Sequence, residues 1–188
     1  MIWFIRHGVT DWNEFVNDKG EHDPKMQGSV DIPLNSRGIA QAQELAKELE
    51  GKHFDMVFCS PLQRAKLTCE IAYKGNAEIV FDDRLKERCF GEFEGRLKSE
   101  LDIGLFWDER LNAKFERAEC VVDFNNRVIS FLEELKPYKD QEILIVAHGG
   151  VGRAIRDYYE SHANLESQAG VIVENAKPMI FDFNKIWK

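Results

Sequence analysis

Five short runs of this chain are apolar almost throughout, and stretches of helical periodicity lie between them. The runs are Ile2–Ile5, Met56–Cys59, Glu78–Phe81, Ile143–Ala147 and Met179–Phe183. A strand without alternating polar residues has no face to give to water, so it belongs in a sheet covered on both sides. The cover follows in order. Between Ser36 and Glu50, residues Ile39, Ala42, Leu45, Ala46 and Leu49 share one helical face, and Gly51 is a natural stop. Ser60–Tyr73 brings Leu62, Ala65, Cys69 and Ala72 together, with Ser60 as N-cap and Pro61 as the first helical residue. Val121–Leu135 carries a stripe through Phe124, Val128, Phe131 and Leu132 and is closed by Pro137. A fourth helix after His148 would present Val151, Ala154, Ile155 and Tyr158. This alternation predicts an α/β fold, a three-layer α/β/α sandwich with a mostly parallel central sheet. Two stretches stand outside the pattern. Glu14–Met26 is polar and reads as a surface loop. Arg96–Glu119 is partly amphipathic and reads as a small helical lid. Neither is long enough for a separate domain, so a single domain over 1–188 is expected, with a lid excursion at about 96–119.

With 44% hydrophobic residues the chain can build a sizeable core. Its net charge of −8 argues against nucleic acid or an anionic membrane surface as partner. It does not exclude a small anion held by a few local arginines. No apolar stretch approaches the roughly 20 residues needed to span a bilayer. The short apolar start lacks a basic leader, so no signal peptide is expected. Cys59, Cys69, Cys89 and Cys120 are scattered, which fits reduced thiols in a cytoplasmic protein better than a zinc site. Oligomeric state is not legible.

The first and fourth apolar runs end alike. Ile2–Ile5 runs into Arg6-His7-Gly8, and Ile143–Ala147 into His148-Gly149-Gly150. Ligands of parallel α/β sheets sit beyond the carboxyl ends of the strands. Ser60 follows a third strand there, Arg64 stands one turn further on, and Glu87 follows the strand ending at Phe81. A cation near a helix start is mildly unfavourable, whereas an anion there is favoured. Arg64 is therefore either a solvated surface residue or half of an anion pocket with Arg6, where a guanidinium fork suits phosphate oxygens. A neutral, oriented histidine is a competent nucleophile towards phosphorus. A second histidine and two arginines would stabilise the transferring charge, a carboxyl group such as Glu87 would protonate the leaving oxygen, and no metal is required. Each histidine taken singly has an ordinary packing alternative, and that is the reading for His22, His53 and His162. The residues by themselves reach an anion site with two histidines.

The motifs also resemble a family. "FIRHGVTDWN" is similar to the Arg-His-Gly signature of the histidine phosphatase superfamily, which includes the cofactor-dependent phosphoglycerate mutases. "MQGSVDIPLNSRGIAQA", "CSPLQRAKLTCEIA", "LKERCFGEFEG" and "IVAHGG" resemble its further blocks, in order. The resemblance implies that His7 is the phosphorylated nucleophile, that Arg6, Arg64 and His148 bind the phosphoryl group, and that Glu87 is the proton donor. It assigns Asn13, Gln27, Gly28 and Gly149 to substrate binding. Departures are the longer loop Glu14–Met26, and Ala118-Glu119-Cys120 where many members have a Gly-Glu-Ser-like turn. The lid is also shorter than in mutases, and its Arg96, Lys98, Arg110, Lys114 and Arg117 are interspersed with acids. The expectation is therefore a phosphomonoesterase acting on a small phosphorylated metabolite through phosphohistidine, with no metal or other cofactor. A phosphoglycerate mutase-type transfer, a non-catalytic phospho-ligand-binding member and a zinc hydrolase are the alternatives. The last is disfavoured by histidine spacing and by two arginines that would repel the metal.

Overall fold

The computed structural model describes residues 1–163 and 172–187. Its elements run β1 (Ile2–Arg6), α1 (Ser36–Glu48), β2 (Met56–Cys59), α2 (Gln63–Ala72), β3 (Ile79–Phe81), α3 (Ile103–Trp107), α4 (Val121–Glu134), β4 (Ile143–Ala147), α5 (Gly149–Ala163) and β5 (Pro178–Phe181). They form a five-stranded sheet of order β3-β2-β4-β1-β5. The strands are parallel except β5, which pairs antiparallel with β1. The fold class is the expected α/β layering on a mostly parallel sheet.

The centre of the sheet explains the unbroken apolar runs. All five residues of β4 are buried. Ile143, Ile145 and Ala147 pack with Phe124, Val128, Val151 and Ile155 of α4 and α5. Leu144 and Val146 pack on the opposite face with Leu45, Ala65 and Cys69 of α1 and α2. Successive side chains alternate faces, so a strand sandwiched between two helical layers needs apolar groups at every position.

Helix ends follow local chemistry, with one correction. Asn35 caps α1, its Oδ1 accepting from the Gly38 N–H at 2.9 Å. Helix α2 starts at Gln63, after Leu62 rather than Ser60, and no side chain caps it. The Ser60 hydroxyl lies 2.7 Å from His148 Nε2 and also accepts the Leu62 N–H at 3.3 Å.

The loop at 14–26 is only partly a surface loop. Asp23 and Met26 are buried. Met26 packs with Phe90 and Phe106, and Asp23 accepts the Ser99 hydroxyl at 2.6 Å. The lid at 96–119 is less helical than its composition suggests, holding a 3-10 turn at Lys98–Glu100 and the five-residue α3, capped by Asp102. Its order comes from aromatic packing among Phe90, Phe93, Phe106 and Phe115, with ring centroids 4.6–5.8 Å apart. Among the described residues no helix is long and apolar enough to cross a membrane.

Candidate active site

Strand register brings the two histidine corners together. β1 and β4 are neighbours, paired Ile2 with Ile143 through Arg6 with Ala147. The His7 N–H continues the ladder to Ala147 O at 2.9 Å. His7 and His148 are thus the next pair in register, and their ring centroids lie 5.1 Å apart. β2 runs along the other side of β4, and the Ser60 N–H reaches Val146 O at 3.0 Å, which delivers Ser60 to His148.

The geometry selects the tautomer of His7. Its Nδ1 lies 2.6 Å from Gly8 O, and a carbonyl can only accept, so Nδ1 carries the proton. Nε2 is left with its lone pair and accepts from Arg64 Nε at 3.2 Å. Burial, then Arg64, then Arg6 hold the imidazole well below the usual 6.5, outweighing the bond to Gly8 that raises it. His7 is therefore neutral at neutral pH. Its backbone is clamped as well. Gly8 N–H donates to Thr68 Oγ1 at 3.0 Å, Thr68 donates to Arg64 O at 2.7 Å, and Asn175 donates to His7 O at 2.7 Å.

Arg64 is fully buried rather than solvated. Its Nη1 and Nη2 donate to the carbonyls of Val30 and Gly28, both at 2.7 Å. Carbonyls orient the fork without cancelling its charge. Burial lowers its pKa to about 10, so it remains a cation at neutral pH. Arg6 donates from Nη1 to Val173 O at 2.8 Å, and its buried Nε has no partner among the described residues. His148 is fully buried, with Nδ1 likewise unpartnered. Burial first, then Arg64, His7 and Arg6, hold it well below 6.5.

Glu87 sits against the start of α5. Oε2 accepts the Gly150 N–H and Oε1 the Arg88 N–H, both at 2.9 Å. A methyl group at Gly150 would overlap Glu87 Oε1, so the second glycine of "HGG" is what admits the carboxylate. Arg127 fixes the segment from below, donating to the carbonyls of Arg84, Lys86 and Glu87 at 2.6, 2.8 and 3.2 Å. It also forms a bidentate pair with Glu119 at 2.7 and 2.9 Å. That pair gives Glu119 a structural role in the turn before α4.

Arg6, His7, Asn13, Gln27, Gly28, Arg64, Glu87 and Gly149 line one cleft. His148, fully buried, is not among the lining residues, and its ring centroid is 5.1 Å from that of His7. Asn13 Oδ1 accepts from Thr10 N at 3.2 Å, and Gln27 Nε2 donates to Thr10 Oγ1 at 2.5 Å. Sequence reasoning missed Lys25, Phe90, Trp107 and Arg153, which also face the cleft, and did not place Lys98 there. For Arg153 a signal existed, since it stands three and four residues beyond Gly150 and Gly149, one turn up the same helical face. His22, His53 and His162 lie elsewhere, bonded to Asn13 O, Asp55 and Tyr158 O. Among the described residues no three His, Cys, Asp or Glu side chains gather as metal ligands, and the four cysteines are free.

Residues 2–185 match the family described as the histidine phosphatase superfamily (branch 1). Phosphoserine phosphatase 1 of Hydrogenobacter thermophilus is 34% identical over 152 residues, 77% of this chain and 68% of its own. The adenosylcobalamin/alpha-ribazole phosphatase of Escherichia coli (strain K12) is 32% identical over 158 residues, 80% of this chain and 74% of its own. The crystal structure of phosphoglycerate mutase from Thermus thermophilus aligns with a TM-score of 0.70 at 28% identity, covering 94% of this chain and 90% of that one.

Proposed function

The chain belongs to the histidine phosphatase superfamily and is a phosphatase, and from that premise we propose that it hydrolyses a small phosphorylated metabolite through a phosphohistidine at His7, without a metal. The observation that carries this reading is the imidazole itself: buried, neutral, its Nδ1 proton committed to Gly8 O and its Nε2 unprotonated and accepting from Arg64, with which it lines a cationic cleft. Nε2 attacks phosphorus while the bond to the alcohol oxygen breaks, and the proton which that oxygen takes up as it leaves is passed to it through the Glu87 carboxyl group. Arg6, Arg64 and His148 take up the charge spreading over the equatorial oxygens. Water then attacks the phosphohistidine, Glu87 accepts its proton, the N–P bond breaks and inorganic phosphate leaves. Asn13, Gln27, Gly28 and Gly149 complete the phosphate pocket. The lid argues for hydrolysis over mutase chemistry, because Arg96, Arg110 and Arg117 are paired with Glu100, Asp108 and Glu116 at 3.4–3.7 Å. The acidic balance and free thiols suit a cytoplasmic enzyme of metabolites, built as one domain over 1–188.

The test is rapid quenching with labelled substrate in excess chelator. Turnover of nitrophenyl phosphate should persist, and label should appear on His7 and vanish in His7→Ala. Glu87→Gln should slow an alkyl phosphate by roughly 10²–10⁴-fold and nitrophenyl phosphate far less, because a nitrophenolate leaves without a proton. Label on another residue would overturn the nucleophile. Equal loss on both substrates would remove Glu87 from the acid role. Bisphosphate-dependent interconversion of phosphoglycerates outpacing hydrolysis would favour the mutase.

A further inference from the structure

Five cations line the cleft, Arg6, Lys25, Arg64, Lys98 and Arg153, against one carboxylate, Glu87. A phosphomonoester dianion is matched by Arg6 and Arg64. Lys25 is occupied by aromatic faces, its Nζ 4.0 Å from the Phe15 ring centroid and 5.9 Å from that of Trp12. Lys98 and Arg153 remain, and neither has a carboxylate partner among the described residues.

For Arg153 the missing partner is informative. The chain holds 33 acids against 25 bases, so acids are not scarce. Arg156, on the same helix, has Asp157 at 3.5 Å, and the lid arginines have theirs. Arg153 instead has its guanidinium carbon over the Trp107 indole, 4.3 Å from the ring centroid. Trp107 is itself held edge-on by Phe90 and Phe124, at 5.9 and 6.0 Å. Stacking covers the face of a guanidinium and leaves its N–H edge free, which is the part that binds two oxygens of one anion. Arg88 also lies over Trp107, but it does not line the cleft, and its Nε and Nη1 donate to the carbonyls of Glu119 and Phe106. The fork at the cleft is thus held on an aromatic face and partly desolvated; burial lowers its pKa, against the pull of Glu87 and Asp157.

We propose that the cleft holds a second anion subsite, set by Arg153 on its Trp107 platform with Lys98 beside it, and that the alcohol portion of the substrate carries an anionic group, a carboxylate or a second phosphate. This rests on the cleft binding a phosphomonoester, and it adds the class of molecule esterified. Neutral alcohol portions leave Arg153 desolvated and unpaired, so they are discriminated against even where they fit.

The experiment reads binding rather than turnover, so it stays independent of the mechanism. Dissociation constants of phosphonoacetate, 3-phosphonopropanoate and 4-phosphonobutanoate are measured by calorimetry against ethyl-, propyl- and butylphosphonate, with alkane bisphosphonates of the same lengths as a third arm. At one chain length the second anion should tighten binding roughly tenfold to a hundredfold. The bisphosphonate arm says whether carboxylate or phosphate is preferred. In Arg153→Gln that ratio should fall to within about threefold of one, and Arg153→Lys, which keeps the charge without the stacked fork, should recover part of it. Near-ultraviolet circular dichroism identifies a variant that has not folded, in which case the lysine variant decides. Ratios near one at every length in the native protein, or a ratio that survives loss of the fork, overturn the subsite and leave the hydrolysis reading standing. Native protein that binds no phosphonate overturns both.

Discussion

At the scale of single residues, Arg64 shows how much meaning burial adds to a side chain. In the sequence it stood equally for a surface residue and for half of an anion site. In the structure it makes three directed hydrogen bonds, to His7 Nε2, Val30 O and Gly28 O, from one rigid plane. A lysine ammonium is a point donor on a flexible stem and cannot span all three. Arg64→Lys should therefore lower kcat/KM for nitrophenyl phosphate by roughly a hundredfold, even though the charge is kept, because positioning is lost. It should also lower stability by about 1–3 kcal/mol, the cost of buried carbonyls left unpaired. Steady-state kinetics beside urea unfolding would show this, and a lysine variant within a few-fold of native activity would mean that charge alone suffices. His7 was legible from the sequence because a charged-and-glycine corner after an apolar run is unusual. Arg88, fully buried, was not, because its partners are backbone carbonyls that no pattern announces.

At the scale of elements, the loop after β1 is pressed onto the first turn of α1. A methyl group at Gly8 would lie 2.5 Å from Gly38 O, and one at Gly38 would collide with the Val9 carbonyl. Two opposing effects meet at Gly38. Alanine is favoured over glycine inside a helix by about 1 kcal/mol. The collision is with backbone, which cannot swing aside, and overpacking of that kind costs about 1–3 kcal/mol. Collision wins, so Gly38→Ala should be destabilising by up to about 2 kcal/mol net and should impair turnover by shifting His7. Urea midpoints with kinetics test it, and a stabilised variant would show that the contact yields. The sequence placed α1 from its apolar stripe and set the start of α2 two residues early, because Ser60 accepts the Leu62 N–H without the helix beginning there. It overestimated the helicity of the lid for a related reason, since an aromatic cluster without regular periodicity can order a chain that forms little helix.

At the scale of the whole molecule, the site sets a pH dependence of stability. His7 and His148 both have folded pKa values below 6.5, chiefly through burial. An unfolded histidine takes up its proton near 6.5. Above that pH both are neutral in both states and the stability is fully present. Below it the unfolded chain binds more protons than the folded one, so stability falls as pH drops towards the folded values, by up to about 1.4 kcal/mol per pH unit for each histidine. Urea midpoints should decline from pH 7 to 5.5, and His148→Gln should roughly halve the slope; a flat profile would mean that the imidazoles are not held neutral. The sequence by itself determined the layers, the strands and the two corners, because apolar periodicity and the His-Gly breaks are local signals that follow from covering a sheet on both sides. It also carried the motifs of the family. Only the tertiary structure decided which strands are neighbours, and hence that His7 and His148 meet across a ladder rather than on distant edges. It also decided that Arg64 is buried while Arg153 is left facing the cleft on Trp107, because burial and pairing depend on chain segments far apart in sequence.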